Sequence, residues 1–157
     1  MAINLMRVDD RLIHSQIVIA WSKSYSAQRI LIVDDIVAED EFFSNVLRMF
    51  APHNVELIIT NCDNAKNIVF QYENDLKNTM VLFKNPITAK YIFDLGIKYN
   101  SLNVGGMGHK SDRKPIYKNV SASEKEIETL KQLQNQGIHV YFQYSPTNTK
   151  VELSQVI

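Results

Sequence analysis

Short apolar runs recur along the chain at residues 3–6, 30–33, 55–60, 79–83, 101–104 and 138–144, each too short for a helix and rich in Val, Ile and aromatic residues. Most are nearly continuous in hydrophobicity, which suits strands covered on both faces in a parallel sheet. Between them the spacing predicts helices at 15–25, 39–50 and 64–72. A further helix is opened by Asn85-Pro86 and closed by Gly96, and another starts at the capping box Ser123-Glu124-Lys125-Glu126 and stops at Gly137. In the latter, Ile127, Leu130 and Leu133 share one face, and a short terminal helix is expected at 151–156. The stretch 105–120 shows neither period and reads as irregular. Alternating strands and helices with no repeat or linker predict an α/β fold. The expectation is a single domain, 1–157, with an open, mostly parallel, doubly wound sheet and helices on both faces.

Composition narrows the partners. Seventeen basic side chains balance seventeen acidic ones, so no global field draws the chain to nucleic acid or to an anionic surface, and any anion site must be local. The single cysteine, Cys62, has no neighbouring histidine or second thiol and reads as a buried or inert thiol. No signal peptide and no apolar run of membrane-spanning length is seen, so a cytoplasmic location is expected. Trp21, Phe42 and Phe43 fall at helical positions and read as core.

The densest polar chemistry is Arg7-Val8-Asp9-Asp10-Arg11-Leu12-Ile13-His14-Ser15-Gln16, placed where the first strand should feed the first helix. A neutral imidazole offers a nucleophilic nitrogen near pH 7, and guanidinium forks hold phosphate oxygens in pairs. A helix N-terminus adds unsatisfied N–H groups facing any bound anion. In a doubly wound sheet the ligand crevice opens at the carboxyl ends of the strands, which is also where Gly105-Gly106-Met107-Gly108 falls. That glycine run matches neither a Walker A loop nor a dinucleotide fingerprint, but beside His14 it would form a second wall of a phosphate pocket. His53, His109 and His139 lack comparable neighbours. The acids and histidines lack metal-ligand spacing, and neither a metal nor an organic cofactor is expected.

This ten-residue run closely resembles the R-x-D-x-R-L-I-H-G-Q signature of the mannose/fructose/sorbose-class IIB subunits of the bacterial sugar phosphotransferase system. Asn103-Val104-Gly105-Gly106-Met107 is similar to that family's N-V-G-G-M loop, and the 30–33 strand followed by Asp34-Asp35-Ile36-Val37-Ala38 is similar to its second-strand motif. The resemblance implies a phosphotransferase whose His14 forms a phosphohistidine intermediate. It would take the phosphoryl group from the phosphohistidine of a IIA protein and pass it to a sugar during uptake through the membrane IIC and IID subunits. Arg11 is then the main neutraliser of phosphoryl charge, and Arg7, Ser15, Gln16, Gly105 and Gly106 are expected to bind phosphate. Asp9 orients Arg11 or the His14 ring, since a carboxylate facing phosphate would repel it. Ser15 departs from the family glycine, which puts the loop torsion in question. The resemblance also implies peripheral association with the inner face of the membrane. It leaves open the sugar, the phosphorylated ring nitrogen, and whether the subunit is a monomer or a homodimer.

Two other readings compete. A signalling receiver domain needs an acceptor aspartate after the third strand and a lysine after a later one, whereas here the third strand ends in Thr60-Asn61 and the fifth in glycines. A non-catalytic regulatory relative is encouraged only by Ser15 and opposed by the intact Arg7, Asp9, Arg11 and His14.

Overall fold

The six apolar runs and a short seventh strand near residue 151 pair as a seven-stranded sheet in the order β3-β2-β4-β1-β5-β8-β9. The strands are β1 (Ala2–Asp9), β2 (Arg29–Val33), β3 (Glu56–Thr60), β4 (Asn78–Phe83), β5 (Ser101–Gly106), β8 (His139–Phe142) and β9 (Val151–Glu152). All pair in parallel except β9, which runs antiparallel to β8. The computed structural model describes residues 1–157 apart from the side chains of Gln16 and Ile17. Helices α1 (Ser15–Ser24), α2 (Asp35–Glu39), α3 (Glu41–Phe50), α4 (Cys62–Gln71), α5 (Pro86–Asp94) and α6 (Glu124–Asn135) connect the strands. Two apolar clusters divide the core. Val8, Phe83, Leu102, Val104, Leu130 and Phe142 belong to one, and Leu5, Leu12, Ile13, Trp21, Ile30 and Leu82 to the other. Neighbouring residues of one strand, such as Ile30 and Leu31, enter opposite clusters, which is why these runs are continuously hydrophobic.

From β1 the chain first builds toward β2 and β3, then returns through β4 and crosses to β5, so β1 lies between the two halves. The crevice of such a sheet opens beyond the carboxyl end of that strand, where Asp9 and the loop to α1 lie.

Four expectations are corrected. The helix expected at 39–50 starts instead at Glu41, because Asp40 accepts the backbone N–H of Phe43 at 2.9 Å as the cap of α3, and Glu39 ends a separate short helix, α2, that was not foreseen. The irregular stretch 105–120 contains most of a hairpin, β6 (Lys114–Tyr117) with β7 (Val120–Ala122), whose strands are too short to show a period. The terminal helix is instead β9 followed by a 3-10 turn, Leu153–Gln155, with edge pairing to β8 winning over helical spacing. Phe42 is not core: it is 80% exposed, while Phe43 beside it packs against the second cluster. Trp21 is buried, as its position predicts.

Candidate functional site

The loop from β1 to α1 is held from below by its own apolar pair. Leu12 and Ile13 are buried in the second cluster, so Arg11 and His14 on either side of them face outward. A turn closed by the Leu12 N–H donating to the Asp9 carbonyl at 2.9 Å sets this geometry, with Leu12 at φ +55°.

Asp9 is the hub. Its buried carboxylate accepts from Arg7 Nη2 at 2.9 Å, from Arg11 Nε at 3.2 Å and from His14 Nε2 at 3.1 Å. Burial pushes the Asp9 carboxyl up, but the hydrogen bond from His14 and the charges of Arg7 and Arg11 outweigh it and hold the group below the usual carboxylate range. A carboxylate can only accept, so the proton lies on His14 Nε2 and the lone pair is left on Nδ1. Ser15 Oγ stands 3.4 Å from Nδ1 on the exposed side.

The two arginines have different tasks. Arg7 is buried: Nη1 donates to Asn103 Oδ1 and to the Gln143 carbonyl at 3.0 Å, and Nη2 to Asp9 and to the Tyr144 carbonyl at 3.1 Å. Its guanidinium also lies over Trp21, 5.0 Å from the ring centroid, and the Trp21 indole N–H donates to the same Tyr144 carbonyl. With both terminal nitrogens engaged, Arg7 is a structural pin for Asp9 rather than the phosphate ligand expected from sequence. The Arg11 side chain, by contrast, is 46% exposed, anchored to Asp9 at one edge and packed 5.7 Å from the Tyr144 ring centroid.

The glycine pair likewise divides. The β1–β5 register slips between Val8 and Asp9, passing over Gly105, and a Cβ at Gly105 would fall inside the Arg7 guanidinium. Gly105 therefore makes room for Arg7. A Cβ at Gly106 would stand 3.1 Å from Arg11 Nη2, and Gly106 floors a cavity of about 280 Å³ that Arg11 and Tyr144 also line.

Ser15 is the first residue of α1, with φ at +41°. This is the left-handed torsion that glycine accepts at little cost and serine resists. His14 precedes it as an extended N-cap whose side chain caps nothing, and no acidic residue occupies the first turn, so the helix start keeps its first amides without a side-chain cap. The Gln16 side chain, expected to bind phosphate, lies outside the described residues.

Several contributors were not foreseen. Asp10 accepts the Gly108 N–H at 2.7 Å and Arg113 Nη1 at 3.0 Å, tying the His14 loop to the glycine loop. Arg113 is itself buried against Glu126 at 2.7 and 3.0 Å. Burial pushes the Glu126 carboxyl up, and Arg113 with the Ser123 amide more than offsets this, leaving it below the usual range. Asn103 carried a signal, as an amide inside an apolar strand run. Arg113 carried none, because its partner Asp10 is over a hundred residues away.

The other histidines are elsewhere: His53 and His109 are exposed, and His139 pairs with Glu152 at 2.7 Å on the far edge. The Cys62 thiol is pushed up to about 12 by burial and by Asp35, which leaves it unreactive.

Comparison with known proteins places relatives around this geometry. Residues 3–157 match the family model described as "PTS system sorbose subfamily IIB component". The chain is 30% identical over 157 residues to the fructose-specific EIIB component of Bacillus subtilis, covering all of this chain and 96% of that one. It is 32% identical over 157 residues to the mannose-specific EIIAB component of Escherichia coli K12, of which it spans 49%. The crystal structure of the IIBSor domain of the Klebsiella pneumoniae sorbose permease superposes with a TM-score of 0.94 at 31% identity, covering 99% of this chain and 96% of that one.

Proposed function

Because the chain belongs to the sorbose-subfamily IIB components of the sugar phosphotransferase system, we propose that its His14 carries the phosphoryl group, and that it does so on Nδ1. The single observation supporting this most directly is the Asp9 contact to Nε2, which leaves Nδ1 as the nucleophile at the outer face of the loop.

In the first step Nδ1 attacks the phosphorus of a phosphohistidine on a IIA partner, the donor's P–N bond breaks, and the Nδ1–P bond forms. The ring then bears positive charge, which the Asp9 carboxylate stabilises through Nε2–H. In the second step a sugar hydroxyl oxygen attacks the same phosphorus and the ring leaves as neutral imidazole, with the hydroxyl proton lost to water. Arg11 and the α1 amides neutralise the transferring oxygens, Gly106 lets the group approach, and Ser15 Oγ donates to a phosphoryl oxygen. Arg7 acts only through Asp9.

A IIA donor is supported by the E. coli relative, whose printed name joins EIIA with EIIB. Sugar delivery at the inner face of the membrane is assigned to IIC and IID partners on the family's resemblance alone; no helix among the described residues is long and apolar enough to cross a membrane. Incubation with phosphoenolpyruvate, the general phosphotransferase proteins and a cognate IIA protein should yield an acid-labile adduct on the wild type and none on His14→Gln. An adduct persisting in His14→Gln would refute the assignment.

A further inference from the structure

Helix α3 carries a face that nothing inside the molecule covers. Ser44 and Leu47 are buried and Phe43 packs against the second cluster, which accounts for one side of the helix. On the other side Phe42 and Met49 are 80% and 81% exposed, and Phe50 beside them is 63% exposed. Phe42, Asn45, the half-buried Val46 and Met49 follow the i, i+3, i+4, i+7 spacing of a single helical stripe. Three large side chains so exposed present on the order of 400 Å² of apolar surface, the size of the largest and often functional patch on a monomer.

The charges beside the stripe indicate what covers it. Glu41 and Arg48 are both exposed and lie seven residues apart, about two turns along the same edge of the helix. Arg48 Nη1 donates to the Leu57 carbonyl at 3.2 Å, which holds the guanidinium at the surface with further N–H groups to offer. Suppose two copies of α3 pack antiparallel about a two-fold axis normal to the plane of the helix pair. Residues on one edge then stay on that edge, so Glu41 of each copy faces Arg48 of the other, Phe42 meets Met49, and Asn45 meets its own copy near the axis. Opposed helix dipoles add to the attraction. Seventeen basic and seventeen acidic side chains leave no net charge to hold two copies apart. With Glu41, Asn45, Val46 and Arg48 covered as well, such a pair buries roughly 1,000 Å² or more in total, the threshold for a specific association.

We propose that the α3 face is the contact between two copies of this chain, paired as an isologous homodimer. This reading is independent of the phosphotransfer chemistry. Because α3 links the parallel strands β2 and β3 it runs against them, so the two-fold axis points the two His14 loops to opposite ends of the pair. Each loop stays open to its donor.

Sedimentation equilibrium of the full chain between about 5 and 500 µM tests it. The mass should rise with concentration from 18.1 kDa towards twice that value. Phe42→Glu and Met49→Glu should each weaken association at least about tenfold and leave phosphorylation by the IIA donor unchanged. Phe70→Glu, at an exposed aromatic on α4 over the opposite face of the sheet, should change neither. Glu41→Arg should weaken the pair about tenfold, and Glu41→Arg combined with Arg48→Glu should restore it. Asn45→Cys should give a disulfide-linked dimer under mild oxidation that the wild type, with Cys62 alone, does not form. A mass of 18.1 kDa at every concentration overturns the proposal. So does association that survives Phe42→Glu, that the charge exchange does not restore, or that proceeds without the Asn45→Cys cross-link. Slower transfer from IIA in Phe42→Glu, with the wild type at single mass throughout, would give this face to the donor instead.

Discussion

Asp9 Oδ2 accepts the Nε2 hydrogen of His14 at 3.1 Å while the same oxygen accepts from the buried Arg7 at 2.9 Å. A single carboxylate thus fixes the tautomer of the imidazole and is itself fixed by a guanidinium that cannot lose its proton.

Replacing this carboxylate should therefore damage both chemistry and fold. Asp9→Asn keeps the shape but removes the charge that stabilises the phosphorylated ring and leaves Arg7 buried without its counter-ion. Single-turnover transfer from phosphorylated IIA is expected to fall on the order of a hundredfold. Urea denaturation should show a loss of about 3 kcal/mol. A variant with full stability and full rate would refute the hub assignment.

The two arginines should separate under the same substitution. Arg11→Lys retains the fold but loses about a hundredfold in transfer rate, since one ammonium cannot present two donors to the phosphoryl oxygens. Arg7→Lys should lose about 3 kcal/mol of stability, because a single ammonium cannot reach Asn103, Asp9 and the two carbonyls together. Paired measurements of melting and single-turnover rate distinguish the outcomes, and a stable, slow Arg7→Lys would return that residue to the phosphate.

The glycine pair should respond unequally. Gly105→Ala forces the Arg7 guanidinium out of its place and should cost about 3 kcal/mol. Gly106→Ala meets only the movable end of Arg11 and the edge of Asp9, at 3.1 Å, and should cost less while slowing transfer. Equal stability losses in chemical denaturation would show that Arg7 does not depend on Gly105.

At Ser15 the torsion and the hydroxyl can be tested apart. Ser15→Gly should raise stability by up to about 1 kcal/mol, because glycine accepts the positive φ. Ser15→Ala keeps the strain and removes only the hydroxyl, so it should shorten the lifetime of the phosphohistidine without raising stability. An adduct equally long-lived in Ser15→Ala would remove the hydroxyl from the phosphate site.

Acid should loosen the site through Asp9 and Glu126. Both carboxyls lie below their ordinary range in the folded state, so unfolding takes up protons at low pH. Their contribution is full above the ordinary carboxylate pKa of about 4 and is lost as pH falls through their lower folded values. Glu126→Gln should lower stability at neutral pH and flatten the acid limb of the stability profile. Urea midpoints measured across that range check this, and an unchanged slope would remove Glu126 from the acid response.

Continuous apolar runs made the parallel sheet readable from the chain, because strands covered on both faces leave no polar alternation. The ten residues ending at Gln16 likewise stood out as a candidate site, since no ordinary connection needs two arginines, two aspartates and a histidine. Which of those groups faces a ligand was not readable. Arg7 and Arg11 are chemically identical, and only the β1–β5 register, slipping at Gly105, turns one inward onto Asn103 and Trp21 and leaves the other on the rim.

The chain by itself determined the six parallel strands, the capped helices and the position of the polar run from Arg7 to Gln16 at the end of the first strand, because these depend on local periodicity, on caps and on residues close in sequence. Tertiary structure alone decided the roles of Arg7, Gly105, Asp10 and Arg113, and the nitrogen left open on His14. Those depend on contacts such as Arg113 with Asp10 and Arg7 with Asn103, each made across about a hundred residues, and on burial that no local pattern encodes.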